Sequence, residues 1–229
     1  VSAALFALIN QGLTFALSNY QLAFLWQLQQ MEMLYYALLL FGTVIVAFFI
    51  VPPLSARLGK KNGAILLALL SLTFNTALYA SWLLDLVPGG PSDPSVAFMF
   101  SFLIFSNSTA IGMMMLTSSM MADVVEASQQ ETGRRSEGLF FAGYFFMQKC
   151  AVGIGTFAAG MILSFAQFPQ NAAPGKVDVA VLDGLALYYM GVVAVLGIIG
   201  VLILRHFPIS RESHNERLRA LNTSAESAS

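Results

Sequence analysis

Long apolar stretches alternate with short polar punctuation along this chain. The charge-free runs are 1–31, 33–56, 62–84, 94–122, 138–175 (interrupted only by Lys149) and 184–204. A helix needs about 20 apolar residues to cross roughly 30 Å of hydrocarbon, and each run is long enough. Helix breakers fall between the runs: Pro52-Pro53 with Gly59, Pro88-Gly89-Gly90-Pro91, Gly133, and Pro169 with Pro174-Gly175. The pattern predicts an all-α membrane protein of six transmembrane helices, spanning about 3–27, 33–54, 63–86, 95–122, 138–166 and 184–205. A loop is expected at 123–137 and a polar tail at 206–229. The alternating ten-residue segments of a membrane β-barrel are not seen.

Composition agrees. Apolar residues make up 57% of the chain and charged residues 10%, where a soluble domain carries about 25% charge. A water-soluble fold and a disordered chain are both excluded. The single cysteine, Cys150, rules out a disulfide framework or a multi-cysteine metal site. A net charge of −1 leaves no basic footprint for nucleic acid. The first apolar run is too long for a signal peptide and has no basic leader. The chain opens at Val1 inside that run, without an initiator Met, which suggests a fragment of a longer polypeptide.

Basic residues give the expected orientation. With six spans, Arg57, Lys60, Lys61, Arg134, Arg135, Arg205, Arg211, Arg217 and Arg219 share one side, and only Lys176 lies on the other. The expectation is a multi-pass protein of the plasma or bacterial inner membrane, with both termini and the loops near 57–63 and 123–138 cytoplasmic.

Polar stripes mark particular helices. Asn10, Thr14, Ser18 and Gln21 step by helical spacings along the first span, within about 80° of one face. Ser101, Ser108, Gly112 and Ser119 line the fourth, with Asn107 and Thr109 alongside. Polar groups in hydrocarbon need partners, so each stripe faces either a neighbouring helix or an aqueous cavity. Ala151, Gly155 and Ala159, four residues apart, predict close helix packing in the fifth span.

Lys149 is the most informative residue. It lies roughly 16 Å into the fifth span, near mid-bilayer. An ammonium there costs about 2.5–3.5 kcal/mol on insertion scales, and a lysine stem of about 6 Å cannot bring it back to bulk water. Its partner is a carboxylate, a bound substrate or a water cavity. Glu32, Asp85, Asp93, Asp123 and Asp183 all sit at span ends, so Lys149 needs either a charge partner from outside this chain or a pKa low enough to leave it neutral. Ala142, Phe145, Gly153 and Thr156 share its face, with Gln148 beside it and Tyr144 one turn away. That combination suits an organic ligand with hydroxyls or ordinary aromatic packing.

Residues 122–138 concentrate charge. Asp123 and Glu126 are one helical face apart by three residues, and Arg134 and Arg135 follow Gly133. This is either a solvated loop or a cytoplasmic gate of ion pairs. The stretch MADVVEASQQETGRRSEGLFFAGYFFMQK resembles the corresponding loop and eleventh helix of the glycoside–pentoside–hexuronide (melibiose permease-like) cation symporters of the major facilitator superfamily. PPLSARLGKKNG resembles the loop after the eighth helix. The resemblance covers the chain as the C-terminal six of twelve helices. It implies a two-halved, alternating-access bundle. It also implies that Lys149 approaches aspartates of the N-terminal half, and that Asp123, Glu126, Arg134 and Arg135 form a cytoplasmic ionic lock.

The expected function is therefore cation-coupled transport of a sugar or related small organic solute. Site-lining residues would be Lys149, Gln148, Tyr144, Phe145, Asn10, Thr14, Gln21 and Ser108. No prosthetic group is expected; the coupling Na⁺ or H⁺ would be bound mainly by the N-terminal half, a further partner beside the solute and the lipid bilayer. Alternatives are a lysolipid or other non-sugar carrier of the same family, or a non-transporting membrane partner. An intramembrane enzyme is disfavoured: no HExxH, no GxSxG and no mid-span pair of acids occurs.

Overall fold

The computed structural model describes residues 2–91, 93–132 and 137–206. Every element of these residues is helical: α1 (Ser2–Tyr20), extended by a π-helical turn over Gln21–Leu25, α2 (Gln30–Leu83), α3 (Val96–Thr132), α4 (Glu137–Phe165) and α5 (Val179–Arg205). Four of these segments are long and apolar enough to cross a membrane: Gln30–Leu83, Val96–Glu126, Phe140–Phe165 and Val179–Arg205. Large apolar side chains stay exposed along them, among them Phe41, Phe49, Phe146, Phe157 and Val195. Such surfaces are compatible with lipid and not with water. The chain is an integral, multi-pass membrane protein.

The two spans expected at 33–54 and 63–86 correspond to the two arms of α2, a helical run of 54 residues broken between them. Straight, it would be about 80 Å long, well beyond one bilayer. Gly59 interrupts it with φ 77° and ψ 164°, a conformation open to glycine and strained for other residues. The chain doubles back there: Leu54, before the break, comes within 3.8 Å of the Cβ position of Gly63 after it. Pro52 and Pro53 remain within the first arm, so the break falls at the glycine, not the prolines. The Gln29 amide donates to Glu32 Oε2 at 2.8 Å, closing a capping box that starts the helix.

α3 also outruns its expected end. No glycine or proline occurs between Met113 and Thr132, so Asp123 and Glu126 are helical and the loop expected at 123–137 is helix as far as Thr132. Arg134 and Arg135, and the tail beyond His206, lie outside the described residues. α5 begins at Val179 because Asp178 accepts the Ala180 amide at 3.0 Å as its N-cap.

Packing is set by small residues. Ser71 and Ser106 each donate to the other's carbonyl, at 3.0 and 3.2 Å, joining α2 to α3. α1 and α4 run parallel and touch backbone to backbone: Leu8 and Ile9 pack with Ala151, while Gly12 abuts Val152 and Gly155 abuts Ile9, Gly12 and Leu13. The larger core joins α1, the second arm of α2, α4 and α5 through Leu13, Leu17, Leu78, Ile162, Leu185 and their neighbours.

A Cβ at Gly155 would stand 2.4 Å from the Ile9 carbonyl oxygen and 2.5 Å from the Leu13 nitrogen. Backbone cannot step aside as a side-chain tip can. Gly155→Ala should therefore lower stability by about 1–3 kcal/mol in detergent melts. Gly160→Ala, with nothing near its Cβ position, should leave the melt unchanged or raised. Equal melts for the two variants would contradict the glycine contact.

Candidate functional site

The close contact of α1 with α4 fixes which faces of both helices remain open. At about 100° per residue, Gln11 and Phe15 lie on one flank of α1 relative to Gly12, and Asn10, Thr14 and Leu17 on the other. On α4, Phe145, Lys149 and Thr156 lie on one flank relative to Gly155, and Phe165 on the other. α5 packs against the second flank of each: Thr14 Oγ1 and Tyr189 Oη are 3.0 Å apart, Asn10 Nδ2 donates to the Val193 carbonyl at 3.5 Å, and Phe165 meets the Tyr188 ring. Because the helices are parallel, the flanks of Gln11 and Lys149 form a single open face.

The expected lining residues therefore divide. Lys149 and Phe145 are exposed on the open face, with Thr156. Tyr144 and Gln148 are half-buried beside them, turned toward α1. Asn10, Thr14 and Gln21 point the other way. Gln21 is buried and its Oε1 accepts from Tyr79 Oη at 2.8 Å. The Tyr79 ring stands edge-on to Tyr189 at 4.7 Å. Thr14, Tyr189, Tyr79 and Gln21 thus form one polar chain inside the core. Asn10, Thr14 and Gln21 of the α1 stripe each make a helix-to-helix hydrogen bond, one of the two outcomes its spacing allowed, while Ser18 donates to the Phe15 carbonyl of its own helix. Ser108 is buried in α3 with an unpaired hydroxyl.

Two polar partners on this side were not anticipated. Gln11, next in sequence to the expected Asn10, is exposed and its amide reaches Met114 Sδ on α3 at 3.5 Å. Spacing alone gives the faces of α1 but not which of them meets a neighbour, so Gln11 carried no signal of its own. Asp123 accepts Lys60 Nζ through both carboxylate oxygens, at 2.6 and 2.7 Å. This ties the Gly59 corner of α2 to α3. Glu126 is exposed one turn on. Both partners of the Lys60–Asp123 pair are partly exposed, so it contributes at most about 1 kcal/mol.

Lys149 is the thirteenth of 29 residues in α4, close to mid-helix. It has no hydrogen-bond or ion-pair partner among the described residues, and no helix interior supplies an acid at its depth. The helix can still insert. Its eleven Leu, Ile, Val and Phe residues contribute about 3–7 kcal/mol, against about 2.5–3.5 kcal/mol lost to the lysine. Among the described residues, no group of three His, Cys, Asp or Glu side chains comes together to hold a metal ion.

Comparison with known proteins places this arrangement. A family model described as MFS/sugar transport protein matches residues 1–211. The chain belongs to that family. It is similar to an uncharacterized symporter of Synechocystis, 28% identical over 185 residues, 79% of this chain and 32% of the relative. It is also similar to proteins named as candidate 2,3-dihydroxypropane-1-sulfonate exporters. The one from Salmonella typhimurium is 29% identical and the one from Escherichia coli 28%, each over 163 residues, 70% of this chain and 32% of the relative. The chain matches about a third of the length of these relatives. No solved structure matches it. The family is one of membrane transporters, not enzymes.

The polar chain makes a prediction. Tyr79→Phe removes the hydroxyl that donates to the buried Gln21 amide oxygen and should lower stability by about 1–3 kcal/mol. Tyr35→Phe, at an exposed position, should not. Indistinguishable melts would mean that Gln21 is satisfied by another group.

Proposed function

We propose that this chain is the C-terminal half of a cation-coupled carrier that moves a sugar or related small organic solute by alternating access. In this reading α1, the two arms of α2, α3, α4 and α5 make six crossings. The Gly59 corner, residues 133–136 and the C-terminal end face the cytoplasm, where the basic residues gather. The N-terminal half closes over the open face of α1 and α4 and brings most of the site for Na⁺ or H⁺.

The observation that carries the reading is Lys149, an exposed ammonium midway along an otherwise apolar helix, with no carboxylate partner among the described residues. Intramembrane ionisable groups are expensive and mark solute or ion pathways. Phe145, Tyr144, Gln148 and Gln11 surround it with the aromatic and amide groups that suit a hydroxylated ligand. The Lys60–Asp123 clamp lies toward the proposed cytoplasmic end, where it holds two helices of this half together. Glu126, Arg134 and Arg135 are left for a gate with the other half.

The test uses the intact protein in vesicles. Uptake of a labelled glycoside should follow an imposed Na⁺ or H⁺ gradient. Lys149→Ala should reduce coupled uptake by about 30-fold or more without loss of folded protein, since the side chain is exposed. Full coupled uptake by Lys149→Ala would overturn the role given to this residue.

A further inference from the structure

We propose that the core between α1, α2 and α5 holds one buried water molecule, bound between Gln21 of the π-helical turn and Asn75 of α2, which joins the two helices. The inference stands apart from the transported solute and from the open face.

Four buried side-chain atoms have no protein partner among the described residues: Asn10 Oδ1, Gln21 Nε2, Asn75 Oδ1 and Ser108 Oγ. Ser108 belongs to α3, and Asn10 lies eleven residues before Gln21, roughly 16 Å away along the axis. Gln21 and Asn75 differ from these, because one tyrosine stands between them. Tyr79 Oη donates to Gln21 Oε1 at 2.8 Å, so Gln21 Nε2, on the same planar amide, is close to that hydroxyl. Asn75 is one turn before Tyr79 on the same face of α2, about 6 Å along the axis. Helical side chains lean toward the N-terminal end, which carries the Tyr79 hydroxyl back toward the level of Asn75. An unmet donor and an unmet acceptor thus flank one hydroxyl.

Neither atom can turn to bulk solvent. Gln21 is 4% exposed and Tyr79 3%, while Leu17 and Leu78 beside them are fully buried. A buried amide group left without a hydrogen bond is expensive, and most such groups find a protein or water partner. The occupant has to accept from an N–H and donate to an oxygen. Water does both, and a buried water needs roughly two to four polar partners. Gln21 Nε2 donates to it, it donates to Asn75 Oδ1, and a lone pair left on Tyr79 Oη takes its second proton. Tyr79, Gln21 and the water then close a ring of hydrogen bonds in which each polarises the next. A cation is opposed by the N–H, and an organic solute has no way in past the leucines.

The site lies where α1 widens into its π-helical turn, a geometry that recurs at functional positions. Two turns earlier in α1, Thr14 reaches Tyr189 directly. At Gln21 the link to α2 runs partly through a molecule that can exchange.

The experiment uses the intact protein. A density map that resolves ordered solvent should show one peak within about 3.2 Å of both Gln21 Nε2 and Asn75 Oδ1. Melting gives an independent reading. Asn75→Leu should lower the melt by about 2–5 °C in the natural sequence. In a Gln21→Met background, where the link is already broken, it should lower the melt by less than half as much. Equal losses in the two backgrounds, or no loss in the natural sequence, would mean that the two atoms share no ligand. A direct bond between Gln21 and Asn75, or another side chain at the position of the peak, would overturn the water even where the losses fail to add. If either variant does not fold, the map of the unmodified protein decides alone.

Discussion

The contact between α1 and α4 governs everything else in this fold. Two glycines let the backbones meet: Gly12 lies against Val152, and Gly155 lies against Ile9, Gly12 and Leu13. Helices that meet through side chains can rotate a little against one another. Helices that meet backbone to backbone cannot, because no flexible tip is available to yield. The rotation of each helix is therefore fixed. One flank of the pair turns to α5 and the second arm of α2, and the other is left open with Gln11, Phe15, Phe145 and Lys149.

That division separates two kinds of polar chemistry. On the closed flank, Thr14, Tyr189, Tyr79 and Gln21 find one another in a dry core, where a mutual hydrogen bond is worth more than in water and an orphan costs more. A few atoms do remain without partners, including Gln21 Nε2 and Asn75 Oδ1. On the open flank the polar groups have almost no partners in this chain. A lysine can persist there because the apolar remainder of α4 outweighs its insertion cost.

Much of the architecture was legible in the residues. Charge-free runs mark the apolar helices because hydrocarbon tolerates few charges, and the Ala151-Gly155-Ala159 spacing marks the close contact because only small residues permit it. Lys149 stood out by depth alone. What spacing could not convey was mutual orientation. A helical wheel groups Asn10 with Thr14 and Gln21 but does not say that their common face meets Tyr189 and Tyr79, far away in sequence. Gln11 was passed over for that reason, since one residue's rotation carries it to the opposite flank. The partner of Asp123, 63 residues away at Lys60, was hidden likewise. The break in α2 was legible as Pro52-Pro53 with Gly59, but only the structure shows that the positive φ belongs to Gly59.

The wide turn at Gln21–Leu25 has a consequence for timing along α1. In an ordinary helix Trp26 would emerge about 140° around the axis from Gln21. Here the Trp26 amide bonds back five residues to the Gln21 carbonyl at 2.9 Å, so one slow revolution returns Trp26 to nearly the azimuth of Gln21. Both side chains then address the same neighbour, Gln21 through Tyr79 and Trp26 through the Trp82 ring at 5.6 Å. The turn acts as a phase delay that keeps the polar and aromatic halves of one helix in step with a single partner.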